Sequence, residues 1–188
     1  MFRIFGPPGT GKTTKLLDMV DRNLEAGVLP TNIAFLAFTR KAAEEARERA
    51  ASRFNLDPKN DLFFFKTLHS LALALTDIRT EQVMQPEHYK ELSKTIGVNL
   101  NAEQQNRFSD LPEAQKSSDP ILGLINLALL RKVPLREQYN ISRIEESWNV
   151  VKYVDEALTK YKQTYKLYDF TDMLRVFANT GETCCPRF

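Results

Sequence analysis

The chain has 188 residues, 43% of them hydrophobic and 27% charged, with a formal net charge of +2. That length can bury a sizeable core as one domain, or as one domain carrying an inserted subdomain. The charge is too small to imply a polyanionic partner unless a basic grip is local, and no apolar run reaches the ~18 residues of a membrane span; the longest candidate is Ile121 to Leu130.

In chain order, Met1-Phe2-Arg3-Ile4-Phe5 is short and apolar enough to predict a buried strand. Gly6-Pro7-Pro8-Gly9-Thr10-Gly11-Lys12-Thr13-Thr14 follows and fits the pattern G-x-x-x-x-G-K-[ST]. Gly6, Gly9 and Gly11 place no side chain between backbone and ligand, so successive N–H groups can turn onto a phosphate. Lys12 supplies a point charge for the β- and γ-phosphates, and the Thr13 hydroxyl is placed to hold Mg²⁺. Lys12 to Glu25 reads as a helix with Leu16, Leu17, Val20 and Leu24 on one stripe. Its N-terminus faces the same anion. Gly6 to Thr14 are therefore the candidate nucleotide-binding residues, with Lys12 and Thr13 as the catalytic candidates and Thr13 as the metal ligand. The position of this loop, from the sixth residue, leaves no room for a signal peptide before it, and a cytoplasmic location is expected.

Ile33 to Phe38 is a nearly continuous apolar run, the pattern of a strand covered on both faces. Thr39 is a plausible N-cap for a helix from Arg40 to Arg53, with Ala42, Ala43, Ala46 and Ala50 on one face. Arg40 and Lys41 put positive charge at the positive end of that helix, against the dipole. Two readings stand: solvated surface charges, or a phosphate docked on the helix N-terminus with Arg40 or Lys41 assisting. Leu62 to Phe65 predicts a third strand, leading through Lys66-Thr67-Leu68-His69-Ser70 into a helix from Leu71 to about Ile78. Repeated strand–helix units imply a parallel sheet with right-handed crossovers. The carboxyl ends of its strands then form the working edge: the glycine loop, Phe38-Thr39-Arg40 and Thr67-Leu68-His69-Ser70.

From about Arg79 the strand pattern stops. Pro86 to Thr95, Ala102 to Asp110, Ile121 to Arg131 and Ser142 to Tyr165 look helical, with Pro112, Pro120 and Pro134 between several of them. A last helix is expected from Asp169 to Phe177, where Asp169 and Asp172 cap and charge its start. Val154-Asp155-Glu156-Ala157 imitates the acidic end of a Walker B strand, but its surroundings keep a helical period, so it reads as a solvated turn of the long helix. Cys184 and Cys185 are neighbours and read as reduced thiols. His69 and His88 stand alone, and no zinc site is spelled out.

Four pieces in order resemble the UvrD/Rep/PcrA-like helicases of superfamily 1. Gly6 to Thr14 looks like the first helicase motif. Ala37-Phe38-Thr39-Arg40-Lys41-Ala42-Ala43, with Glu44 to Arg49, is similar to T-F-T-N-K-A-A…M-x-x-R. Thr67-Leu68-His69-Ser70 is similar to T-F-H-S, and Tyr168-Asp169-Phe170-Thr171-Asp172-Met173-Leu174 resembles L-D-F-D-D-L. The resemblance implies an α/β fold, a P-loop NTPase (RecA-like) parallel sheet with an inserted all-helical subdomain. The expected parts are 1–78 and 166–188 for the RecA-like domain, incomplete, and 79–165 for the insertion.

It also implies an ATP- and Mg²⁺-dependent motor on single-stranded DNA and duplex junctions, 3′ to 5′ in most members. Phe38 would stack on a base, and Thr39, Arg40, Thr67, His69 and Ser70 would lie at the DNA backbone. A core role for Phe38, and a capping or core role for His69, are the other readings. The chain departs from the family pattern in three ways. No adenine-reading motif precedes the loop, Thr171 stands where the family has an acid, and the chain stops about where the Walker B strand is expected. This is the pattern of an amino-terminal part that is inactive alone. The competing readings are a non-hydrolysing nucleotide- and DNA-binding module, an AAA+ ATPase, and a second branch of superfamily 1 that shares the loop's spelling.

Overall fold

The structure, a computed structural model, describes residues 3–7, 9–100 and 119–180. Pro8, the expected helix from Ala102 to Asp110, and Cys184 and Cys185 lie outside the described residues. The described chain divides into two compact units, one within residues 3–71 and one within 72–180.

The first unit holds α1 (Lys12–Glu25), β1 (Phe35–Ala37), α2 (Arg40–Phe54), β2 (Phe65–Thr67) and the start of α3 (Leu68–Leu75). β1 and β2 pair in parallel, Phe35 opposite Phe65, Leu36 opposite Lys66 and Ala37 opposite Thr67. Phe35 stacks on Phe65 with ring centroids 5.4 Å apart. Leu17 and Val20 of α1 and Ala46 and Ala50 of α2 close over Leu62 and Phe65 to make the core. The alanines matter because small side chains let the helix lie close to its neighbours. Arg53 braces α1 and α2 together, donating to Asp18 at 2.8 Å and to Asp21 at 2.9 Å.

Three expectations change here. Met1 to Phe5 was expected as a strand; Arg3 to Phe5 are irregular, and the sheet of the described residues has two strands. An apolar run becomes a strand only when a neighbour pairs with it, so Ile4 and Phe5 remain exposed instead. The strand expected at Leu62–Phe65 begins only at Phe65. Before it, Asp57 holds the turn with its side chain, accepting from the Lys59 amide at 2.8 Å, and Leu62 to Phe64 continue that turn. The helix expected from Leu71 starts at Leu68, because the Thr67 hydroxyl accepts the Ser70 amide (3.2 Å) and so caps it.

The second unit contains the rest of α3, α4 (Pro86–Ile96), α5 (Pro120–Arg131), α6 (Leu135–Ile141), α7 (Trp148–Tyr165) and α8 (Phe170–Thr180). Val151, Val154 and Leu158 on one face of α7 pack against Tyr89 and Leu92 of α4 and Leu122 and Ile125 of α5. The long helix expected from Ser142 is shorter. The buried Gln138 side chain donates to Ser142 Oγ (2.9 Å) and the Tyr139 hydroxyl to the Glu146 carbonyl (3.1 Å). These bonds form the non-helical link between α6, which the sequence reading had not separated, and α7. A second core joins Ile78, Val83 and Met173. The described residues thus form an α/β chain, mostly helical with a small parallel sheet, and none of their helices is long and apolar enough to cross a membrane.

Candidate functional site

The glycine loop shows why its residue types are needed. Gly9 (φ 82°) and Gly11 (φ 75°) are left-handed, a conformation that costs other L-residues about 1–2 kcal/mol. Open space surrounds the Cβ position of both. A Cβ on Gly6 would meet Thr10 Oγ1 at 2.5 Å, and that hydroxyl is itself committed to the Pro7 carbonyl at 2.8 Å. Gly11 caps α1 with no side chain, and the first turn of α1 carries no acid. Its N–H groups therefore face outward at the positive end of the helix.

Lys12 folds back over the loop, donating to the Gly6 and Pro7 carbonyls at 2.6 Å each. Thr13 beside it is half-buried and Thr14 is exposed. A cationic ammonium, outward backbone donors and a hydroxyl fit a polyphosphate and its cation. The cradle is one that a Cβ would strain or fill.

The parallel register of β1 and β2 brings the next two stretches to one edge. Phe38 follows β1 there and is 91% exposed, outside the core of the first unit. Thr39 is the N-cap of α2; its side chain accepts the Ala42 amide at 3.1 Å. Arg40 and Lys41 are exposed in the first turn, which has no acid. Thr67 is buried at the end of β2, where its hydroxyl donates to Ser70 Oγ at 2.9 Å. Ser70 and His69 are half-buried on the first turn of α3, and burial holds the His69 imidazole below its ordinary range. Two helix N-termini and an exposed aromatic ring thus share the carboxyl edge of the sheet. The threonine hydroxyls are engaged in capping, so what they offer a ligand is a fixed helix end.

Asp155 and Glu156 sit on α7, as a helical turn and not a strand end. Glu156 is exposed and lies 3.6 Å from Lys152. Asp155 lines a cavity of about 520 Å³ with Ile125, Leu158, Lys162, Asp172 and Arg175. Burial raises its carboxyl above the usual range, with Lys162 acting the other way. This cavity lies within the second unit and has no glycine loop. Its cations are Lys162, Lys166 and Arg175; Lys162 is paired with Asp169 and Asp172, and Arg175 lies 3.7 Å from Asp172.

The sequence reading missed the Arg53 brace between α1 and α2. The available signal was Asp18 and Asp21, one helical turn apart on α1. Among the described residues no group of His, Cys, Asp and Glu is arranged to hold a metal ion.

Compared with protein families, residues 2–183 match the UvrD/REP helicase N-terminal domain.

Proposed function

The chain belongs to the UvrD/REP helicase family, and from that premise we propose that it is the ATP-binding part of a motor that moves 3′ to 5′ along single-stranded DNA and opens duplex junctions. In this reading residues 1–78 and 166–188 belong to a RecA-like domain, and 79–165 form its helical insertion. Gly6 to Thr14 hold the triphosphate. Lys12 exchanges the Gly6 and Pro7 carbonyls for phosphate oxygens, and Thr13 contributes its hydroxyl to Mg²⁺. The bound nucleotide supplies the free energy of phosphoryl transfer.

On the carboxyl edge of β1 and β2, Phe38 offers a face on which bases stack without regard to sequence. The N-termini of α2 and α3, with Arg40 beside the first, meet phosphates that position the strand without reading it. His69 and Ser70 flank that path.

The observation that carries the proposal is the loop itself, with left-handed Gly9 and Gly11 and Lys12 folded onto it at the start of α1. Replacing Lys12 by Ala removes the charge but no core contact. Mg·ATP affinity is therefore expected to fall while the melting temperature stays within a degree or two of the parent, as surface changes do. Titration of both proteins with a fluorescent ATP analogue checks this, and equal affinities would refute the nucleotide assignment.

A further inference from the structure

The segments that bracket α4–α7 meet at one residue. Tyr168 donates its amide to the Gln82 carbonyl at 2.7 Å, and its own carbonyl accepts the Met84 amide at 2.9 Å. Together they make a single parallel bridge between Val83 and Tyr168. A bridge one residue long does not hold a long loop shut by itself, since the entropy of closing that loop must be offset by further contacts.

Next to the bridge lies a buried charge cluster. Lys162, in the last turn of α7, donates to Asp169 Oδ2 at 2.8 Å and to Asp172 Oδ2 at 2.7 Å. The three side chains are 12%, 5% and 17% exposed. The same carboxylates form a reciprocal cap on α8. The Asp172 amide donates to Asp169 Oδ1 (2.8 Å) and the Asp169 amide to Asp172 Oδ2 (3.3 Å). Two ionised carboxylates so close and so little hydrated repel each other unless a cation lies between them. Lys162 is the buried cation that reaches both; Arg175, 54% exposed, lies 3.7 Å from Asp172 Oδ1. Asp169 is the next residue after Tyr168, so whatever fixes the Asp169 backbone also fixes the bridge.

We propose that Lys162, Asp169 and Asp172, set beside the Val83–Tyr168 bridge, are a latch that closes the base of the helical body α4–α7 and fixes the start of α8 against it. All of its residues lie within the second unit. Lys162 acts as a positioning residue, through the cap on α8 and the backbone of Tyr168.

Site-resolved hydrogen exchange on the full chain tests it, comparing the parent with Lys162→Met, Lys162→Arg and Lys152→Met. Lys162→Met should speed exchange of the Met84 and Tyr168 amides by about 10²-fold or more, the factor corresponding to loss of one partner of a buried ion pair. The Val154 and Leu158 amides of α7 should change far less. Lys162→Arg should restore most of the protection, and Lys152→Met, which removes only an exposed charge pair, should change neither amide. Unchanged exchange at Met84 and Tyr168 would overturn the latch. A uniform rise across all of α4–α8 would also overturn it, reducing Lys162 to a general stabilising contact. If Lys162→Met does not fold, Asp172→Asn, which keeps an acceptor oxygen but removes one charge, is read by the same criteria with a smaller expected rise.

Discussion

Phe38 turns its ring to solvent at the end of β1, while Phe35, three residues earlier, stacks on the buried Phe65. The apolar run Ile33–Phe38 therefore changes role within its own length. An exposed phenylalanine forgoes roughly 1.5–3 kcal/mol of burial, and in the proposed DNA path that surface would be available for stacking. Phe38→Ala is expected to weaken single-stranded DNA binding by roughly 1–3 kcal/mol, similarly for unrelated sequences. Its unfolding midpoint should hardly move. Fluorescence anisotropy with two oligonucleotides, set beside a urea melt, checks both halves; an unchanged affinity would refute the stacking role. A salt-dependent part of the affinity should survive the substitution, because in the proposed contact it would come from Arg40 and the helix ends and not from the ring.

At the level of elements, caps decide more than propensity does. Thr39 starts α2 where the sequence suggests, since a threonine before a helical run accepts an amide one turn on. Thr67 does the same for α3, and that start was misplaced by three residues because the apolar residues around it matched a strand as well as a helix. α5 depends on Asp119, 5% exposed, which accepts the Ile121 and Leu122 amides at 3.0 Å each. Pro120 had marked this start only as a break. Asp119→Ala should cost about 0.5–2 kcal/mol and Asp119→Asn much less, measured by urea denaturation of the full chain. Equal losses for the two variants would mean that the charge, and not the acceptor, is what matters there.

At the scale of the molecule, the question is whether these residues suffice for turnover. Phosphoryl transfer to water needs Mg²⁺ held from more than one side, an oriented water and a cation for the developing charge. Lys12 and Thr13 fit two of these tasks, and Asp155-Glu156, the pair that imitates a Walker B end, is a turn of α7. Losing one preorganised group typically costs ~10²–10³ in rate. The 188-residue chain assayed alone is therefore expected to release phosphate at near-background rates even with DNA present, and an Asp155→Asn, Glu156→Gln double variant should behave the same. Robust turnover abolished by that double variant would place α7 in the catalytic site.

The sequence by itself determined the glycine loop, α1 and the start of α2. Each rests on chemistry contained within a few residues: a left-handed backbone only glycine takes cheaply, a lysine and threonine at set spacing, a hydroxyl one turn before the amide it caps. Tertiary structure decided what depends on partners far along the chain. Arg3–Phe5 is no strand because neither β1 nor β2 pairs with it, and β2 begins only where its register with Phe35 begins. Asp169 and Asp172 were legible as helix caps. Their lysine was not, because a charged residue on an amphipathic helix carries no local sign of being buried. The fold that brings α7 beside Asp169 and Asp172 leaves Lys162 12% exposed, and a desolvated ammonium is then best placed between two carboxylates.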